Sequence, residues 1–307
     1  MTTTFDEKIP FTGNGLDFYG LLKRGTKPQL PLIVLFHGGG TTPAYFDNPV
    51  VSVVKDLNNL GHNVLNISRP GYGRTPVPKT TTPFKDSIPA FISFIEAVYA
   101  QITIANGTTP GIILVGHSIG GSLALSITHE AKDRLPIIGI SVMGSLPSKG
   151  PLDLFPGLDD GDGPDAGNPR YITEPSAENI RRFMGEVEWL HPEALSEDVI
   201  SAVFEPGIKS ELREYLAPET NGYLLDVVLP GITVPVQFLA AQVDIIWDCE
   251  DGGRPIFDDL VKRFSSAPSI DEAILPGGGH NYEFCKNVGV LRERREGFIA
   301  GLVAKRG

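Results

Sequence analysis

Three polar residues stand in loops of this chain where they could act as a nucleophile, its base and its acid. Ser118, the candidate nucleophile, is the centre of the pentapeptide Gly116–Gly120, which follows an apolar run and precedes a stretch with the composition of a buried helix. A serine at such a sharp strand–turn–helix is pushed out of the sheet, and small neighbours leave the strand and the helix room to approach. The pattern therefore predicts a nucleophilic serine in a turn supported by Gly116, His117 and Gly120.

A nucleophilic serine needs a base, because a free hydroxyl is almost entirely un-ionised at neutral pH. His280 follows a short apolar run that breaks into the glycine loop Gly277–Gly279, and it precedes the final helix-like stretch. A histidine on such a loop can place its ring over the carboxyl edge of a sheet, where open α/β folds bind their ligands. We therefore predict that His280 is the base.

The base in turn needs an anion that fixes its tautomer and stabilises the imidazolium. Asp244 follows an apolar strand that is predicted to begin after Pro235 and to end near Ala240. Asp248 and Glu250 are rivals on the same loop. The shorter distance from the strand end favours Asp244, because a residue there is held rigidly, and Asp248 is the main alternative.

The fourth element is a site for the oxyanion that forms during acyl transfer. The apolar run Leu32–Phe36 is typical of a parallel strand buried on both faces, and it ends in a histidine followed by three glycines. Backbone amides without side chains can crowd a developing negative charge, so the amides of Gly39 and Ile119 are the predicted donors, each worth roughly 3 kcal/mol. The other loop residues are predicted to support this site: His37, Gly38 and Gly40.

In type and order these motifs resemble the α/β-hydrolase superfamily, over residues 15–147 and 231–307. The segment Arg69–Thr75 resembles the turn-rich loop that follows the next core strand in this superfamily, with Ser68 where an acidic residue is usual. The resemblance implies an α/β fold with a mostly parallel central sheet, helices on both faces and a mainly helical lid insertion. Residues 1–147 and 231–307 would form the core, and residues 148–230 the lid.

Alternating apolar patterns along the chain predict the elements of this core. Strands are expected at 16–23, 32–36, 63–67, 112–115 and 137–142, and helices at 44–60, 83–101 and from the nucleophile turn to 132. In the insertion, helices are expected at 176–190, 196–204 and 209–216. Lids of this superfamily shape the acyl pocket, and the candidate pocket residues here are Phe183, Met184, Trp189, Phe204, Tyr215 and Tyr223.

Composition narrows the possible partners. The net charge of −11 over 307 residues argues against nucleic acid or an anionic membrane surface, since both require clustered Lys and Arg. The amino terminus lacks a secretion leader, and no apolar run approaches the roughly 20 residues of a membrane span, so we expect a cytoplasmic protein. Cys249 and Cys285 are expected to be unpaired thiols in a reducing compartment. A disulfide between them is the alternative, because both lie near the predicted acid and base loops.

A serine nucleophile favours an acyl-enzyme formed from an ester, thioester, lactone or amide, with lyase and carbon–carbon hydrolase chemistry left open. Neither a cofactor nor a metal is predicted, and the substrate is expected to be a small acyl compound, free or bound to a carrier protein. In overall style the chain is similar to trans-acting thioesterases found beside fungal polyketide synthases, which release an acyl chain by hydrolysis or macrolactonisation. The alternative from another class is a non-catalytic small-molecule binding protein on the same fold.

Overall fold

A computed structural model describes residues 3–107, 110–145, 187–244, 246 and 253–305. These residues form a sheet of eight strands in the order β1-β2-β4-β3-β5-β6-β7-β8, with β1 and β2 antiparallel and β3 to β8 parallel. The strands are β1 Glu7–Gly13, β2 Leu16–Lys23, β3 Leu32–Phe36, β4 Val64–Ser68, β5 Ile112–His117, β6 Ile137–Met143, β7 Val236–Ala241 and β8 Ile270–Leu275.

Helices connect the parallel strands. They are α1 Val53–Asn59, α2 Pro83–Asn106, α3 Ile119–Glu130, α4 Glu197–Val203, α5 Lys209–Leu216, α6 Pro218–Tyr223, α7 Leu229–Gly231, α8 Gly253–Arg263 and α9 Val288–Ala304. A π-helical stretch, Leu224–Val228, joins α6 to α7, and short 3₁₀ helices occur at Pro43–Phe46, Val187–Trp189 and Tyr282–Phe284.

The central strands are buried on both faces, which explains their continuous apolar sequence. Along β3, Val34 belongs to the core cluster that contains α2 and α3, whereas its neighbours Ile33 and Leu35 belong to the cluster that contains α1 and α9. Successive side chains of a strand point to opposite faces, so the two clusters lie on opposite sides of the sheet. The predicted fold class, a mostly parallel sheet with helices on both faces, is confirmed.

Several predicted boundaries were wrong. The single helix expected at 44–60 is a 3₁₀ turn followed by α1, because between them the Asn48 side chain accepts hydrogen bonds from the backbone N–H groups of Val50 and Val51 and closes a turn. Helix α2 runs beyond residue 101 and ends where Gly107 adopts a left-handed conformation, with φ 62°. Strand β1 and helices α6 to α8 were not predicted.

Helix α2 also bears on the expectation that no segment spans a membrane. Within the described ranges, its stretch Pro83–Ala105 is long and apolar enough, by length and composition, to cross a bilayer. Phe84, Phe91 and Phe94 on this helix are buried in the core beside the sheet. Such packing is what a long core helix requires, so the apolar composition of α2 is explained by the fold.

The turn between β5 and α3, which carries the candidate nucleophile, lies very close to the backbone at the end of β3. A Cβ added at Gly120 would lie 2.2 Å from the carbonyl oxygen of Phe36 and 2.4 Å from that of His37. A Cβ at Gly116 would lie 2.5 Å from the Gly120 oxygen. Helix α3 can therefore start against the end of β3 only because both positions lack a side chain.

This contact predicts that Gly120→Ala is strongly destabilising. The new methyl group would clash with fixed backbone oxygens, so we expect the free energy of unfolding to fall by about 3 kcal/mol. Urea denaturation followed by circular dichroism measures it. Gly297→Ala in α9 is the matched control, because nothing lies within 4 Å of its added Cβ, and it should stabilise the protein by up to about 1 kcal/mol. An unchanged unfolding midpoint for Gly120→Ala would contradict the prediction.

Candidate active site

Ser118 occupies the strained position of the turn. Its backbone has φ 53° and ψ −128°, a conformation that few non-glycine residues adopt. Although it stands at the N-cap of α3, its side chain makes no capping hydrogen bond. Across the turn, a Cβ added at Gly38 would lie 3.1 Å from the Ser118 Cβ. The hydroxyl is thus held at the carboxyl ends of β3 and β5, next to the glycine loop.

His280 and Asp244 form a buried pair. The Nδ1 atom of His280 lies 2.8 Å from Oδ2 of Asp244, and both side chains are almost completely shielded from solvent. The other carboxylate oxygen, Oδ1, accepts a hydrogen bond of 3.1 Å from the Ile246 amide. Because an ionised carboxylate only accepts, Nδ1 carries the proton and Nε2 is left as the basic nitrogen. The rivals Asp248 and Glu250 lie outside the described residues.

The end of β6 brings this pair to the serine. The Ser118 amide donates to the carbonyl oxygen of Met143 at 3.0 Å. At the next residue, Gly144, an added Cβ would lie 3.2 Å from the His280 ring and 3.4 Å from Asp244 Oδ2. The three predicted catalytic residues, far apart in sequence, therefore surround residues 143–144 at one edge of the sheet. Their roles stay predictions.

The predicted oxyanion donors are available for a ligand. In the described part of the chain, neither the Gly39 amide nor the Ile119 amide donates to a protein acceptor. Ile119 is the first residue of α3, where backbone N–H groups have no partner within the helix and the helix dipole is positive. An anion bound at this edge of the sheet could therefore accept hydrogen bonds from these N–H groups and would lie at the positive end of the α3 dipole.

His37 supports the glycine loop. Its Nε2 accepts a hydrogen bond of 3.2 Å from the Arg69 backbone amide, and its Nδ1 lies 2.9 Å from the Gly38 carbonyl oxygen. A neutral ring with its proton on Nδ1 satisfies both contacts. Burial, reinforced by the charge of Arg69, holds the pKa of His37 well below its usual range. These contacts hold the ring against the glycine loop, and the supporting role of His37 in catalysis stays a prediction.

His117 performs a similar task for the loop of the candidate base. Its Nε2 donates to the His280 carbonyl oxygen at 3.0 Å, and its ring stacks on Tyr45 with centroids 4.4 Å apart. Burial, followed by repulsion from His280, lowers the pKa of His117 to about 3. The ring is therefore neutral at physiological pH, and it ties the nucleophile turn to the base loop.

A buried ionic network behind His117 was not found by sequence reasoning. Glu283 accepts a hydrogen bond of 2.5 Å from the Tyr45 hydroxyl and one of 3.2 Å from Arg295, and all three side chains are buried. Burial alone would raise the pKa of Glu283, but the charge of Arg295 and the hydrogen bond from Tyr45 outweigh burial and lower that pKa. No local motif marks these residues, since Tyr45 is 238 residues from Glu283 and Arg295 is 12 residues from it.

The predicted pocket residues do not all come together. Phe183 and Met184 lie outside the described residues. Phe204 is buried against Phe284, and its backbone pairs with Thr41 beside the glycine loop. The three other candidates lie in different places. Trp189 lies near the base loop, with its Cδ1 4.0 Å from a Cβ added at Gly277. The Tyr223 hydroxyl donates to Glu130 at the opposite end of α3 from Ser118, and the Tyr215 hydroxyl lies 3.0 Å from that of Ser122 on the same helix.

The described residues bear on the predictions about a metal site and about one of the two cysteines. Among the described residues, no group of three or more His, Cys, Asp or Glu side chains is placed to hold a metal ion. Cys285 is buried, and burial raises the pKa of its thiol to about 11. Cys249 lies outside the described residues, so the state of the two thiols stays a prediction.

Comparison with known proteins places the chain in a family. The sequence model of the Alpha/beta hydrolase family matches residues 33–286, which is most of the chain. The protein therefore belongs to this family.

Individual relatives are more distant. Over 155 residues the chain is 25% identical to protein phosphatase methylesterase 1 of Yarrowia lipolytica, covering 45% of this chain and 36% of that protein. The chain thus spans about a third of the length of this curated relative. A thermostable carboxyl esterase of Bacillus coagulans superposes with TM-score 0.72 at 14% identity, covering 98% of this chain and 100% of its own. A soluble variant of monoglyceride lipase from Saccharomyces cerevisiae superposes with TM-score 0.71 at 16% identity, covering 98% of this chain and 96% of its own. At such identities these likenesses show the fold.

The depressed pKa of His117 predicts a pH dependence of stability. In the unfolded chain this histidine binds a proton as the pH falls through 6.5, whereas in the folded protein it stays neutral down to about 3. Its contribution to stability is complete above pH 6.5 and is lost toward pH 3, at up to about 1.4 kcal/mol per pH unit. In His117→Gln the slope of unfolding free energy between pH 6 and 4.5 should be smaller by up to this amount. Urea titrations at several pH values measure it, and equal slopes would refute the prediction.

Proposed function

We propose that this chain is a serine hydrolase that cleaves a carboxylic ester, thioester or lactone through an acyl-enzyme on Ser118. The observation that carries the proposal is the buried His280–Asp244 hydrogen bond at the sheet edge where Ser118 stands in its strained turn. A carboxylate–imidazole pair beside a hydroxyl is the arrangement that activates a serine. The names of the relatives, methylesterase, carboxyl esterase and lipase, support an ester as the scissile group.

The proposed mechanism follows from the tautomer of the base. Asp244 keeps the His280 proton on Nδ1, so that Nε2 takes the proton of Ser118 as its oxygen attacks the carbonyl carbon. The N–H groups of Gly39 and Ile119 bind the resulting oxyanion. His280 then gives the proton to the leaving alcohol or thiol. The same nitrogen next activates the water that hydrolyses the acyl-enzyme.

The segment between β6 and β7 is the proposed source of substrate selectivity. We place the lid at residues 148–230, of which the described part contacts both loops that flank Ser118. Phe204 packs beside the glycine loop at Thr41, and the Trp189 carbonyl accepts a hydrogen bond of 2.8 Å from the Lys286 amide after the base loop. Aromatic side chains at these two places would border an acyl group bound at Ser118.

The nucleophile assignment predicts selective labelling. A fluorophosphonate probe should modify the wild-type protein promptly at a single serine, and Ser118→Ala should abolish the modification. Ser126→Ala is the matched control, because Ser126 is buried on the same helix and its hydroxyl has no hydrogen-bond partner in the structure. Mass spectrometry of the labelled peptide identifies the site. A folded wild-type protein that resists the probe would instead favour the binding-protein alternative.

The acid assignment predicts a large loss of turnover. In Asp244→Asn the amide oxygen is expected to keep the Ile246 N–H, so that the NH2 group donates to His280 Nδ1. The ring then carries its proton on Nε2, the wrong tautomer, and kcat should fall about 10⁴-fold. Asp248→Asn is the comparison variant, and it should keep kcat within about threefold. Initial rates on an activated short-chain ester measure both. The reverse ranking would transfer the acid role to Asp248.

A substrate panel decides the finer activity. Short-chain esters, long-chain esters, lactones and acyl thioesters are compared, with the products examined for ring closure. Ester hydrolysis that disappears in Ser118→Ala supports the proposal. Turnover confined to thioesters, with a lactone as product, would assign the chain to the trans-acting thioesterases.

A further inference from the structure

The guanidinium group of Arg69 lies behind the glycine loop and has no assigned role. Arg69 is 1% exposed, and its Nη2 donates to the Gly38 carbonyl oxygen at 3.0 Å. Its Nη1 and Nη2 also bind the carboxylate of Glu211, at 2.6 and 3.3 Å. Glu211 lies on α5, 142 residues further along the chain. A buried ion pair thus ends on one carbonyl group of the candidate oxyanion loop.

That carbonyl group is held by further donors. The Thr41 hydroxyl donates to it at 3.0 Å, and Nδ1–H of His37 at 2.9 Å. The Gly38 carbonyl and the Gly39 N–H belong to one peptide unit, which is planar and trans, so they point in opposite directions. Holding the carbonyl on one side therefore fixes where the N–H of Gly39 points on the other.

We infer that Arg69, oriented by Glu211, is a positioning residue that aims the Gly39 N–H at the oxyanion. The inference rests on the proposed function, because it requires acyl transfer at Ser118. A charged donor on the carbonyl also polarises the peptide unit and strengthens its N–H as a donor. Arg69 touches neither substrate nor reacting atoms. It acts through the Gly38–Gly39 peptide.

Glu211 makes the aim of this peptide dependent on helix α5. The Tyr72 hydroxyl donates to Glu211 Oε2 at 2.8 Å, and the Arg69 guanidinium lies over the Tyr72 ring. The carboxylate therefore has donors on both oxygens, and Arg69 is held in one orientation. A second set of bonds joins the same regions, since the Thr42 amide donates to the Val203 carbonyl and the Glu205 amide to that of Gly40.

The test is the double variant Arg69→Met/Glu211→Met. Replacing both members of a buried pair by apolar side chains avoids an unpaired buried charge, so the variant is expected to fold. We expect kcat on an ester substrate to fall 10- to 100-fold with KM changed less than threefold, since loss of a whole oxyanion donor costs about 10²- to 10³-fold. Inhibition by a trifluoromethyl ketone, whose hemiketal oxyanion mimics the intermediate, should weaken by the same factor as kcat/KM.

Two further variants complete the test. Arg134→Met/Glu96→Met removes an exposed ion pair and should leave both readouts unchanged. Thr41→Val removes another donor to Gly38 without touching a charge, and we expect kcat to fall three- to tenfold. If the Arg69 variant does not fold, the kcat of Thr41→Val decides whether donors on the Gly38 carbonyl position the Gly39 N–H. A folded variant with unchanged kcat and unchanged inhibition, while fluorophosphonate still labels Ser118, overturns this inference and leaves the proposed function intact. Absence of labelling in the wild type would overturn the proposed function itself.

Discussion

The site depends on the contact between the start of helix α3 and the end of strand β3. These elements meet because β3 and β5 are parallel neighbours in the sheet, so that their carboxyl ends lie side by side. Gly120 allows the helix to press against the carbonyl oxygens of Phe36 and His37. As a result the serine turn and the glycine loop share one corner. A larger residue at Gly120 would separate the candidate nucleophile from the glycine loop, and so from the amide of Gly39.

Around this corner, two buried ion pairs are arranged in a similar way. Arg69 and Glu211 lie beside the ring of His37, and Arg295 and Glu283 lie beside that of His117. In each case a tyrosine, Tyr72 or Tyr45, donates to the carboxylate and contacts the histidine ring.

Such pairs add little net stability, because desolvation offsets their attraction, but breaking one costs about 3–5 kcal/mol. Their value here is geometric. Each histidine bonds a backbone carbonyl of a functional loop, that of Gly38 or that of His280. The tyrosines bound to the ion pairs pack on the histidine rings, and each ring in turn holds the loop whose carbonyl group it bonds.

The sequence predicted the parts of the site that depend on local structure. Ser118, the glycine loop and His280 were predicted because each lies where an apolar strand breaks into glycine, and Asp244 because it stands shortly after β7. The structure brings their elements to one edge of the sheet, and their roles stay predictions. The helix at Lys209–Leu216 was predicted with the bounds that the structure has. These features rely on propensity and spacing, which are readable from one segment at a time.

Long-range pairing was not readable in this way. Glu211 lies in a segment whose charged residues are typical of an exposed helix, yet it is buried on Arg69. Strand β1 was not predicted because it lies at the edge of the sheet with four of its seven residues partly buried and three exposed, so its apolar signal is weak. The break between residues 46 and 53 depends on the Asn48 side chain, which caps a turn inside a pattern that otherwise favours a helix.

The described part of the segment between β6 and β7 is hydrogen-bonded to both loops of the candidate site. Its backbone bonds the glycine loop through Val203 and Glu205, and the loop after His280 through Trp189 and His191. A segment that only covered the site would leave both loops in place whatever its sequence. Here the residues proposed to border an acyl chain and those that hold the glycine loop belong to the same stretch of chain. A change of substrate preference introduced in this stretch would therefore alter turnover as well as affinity.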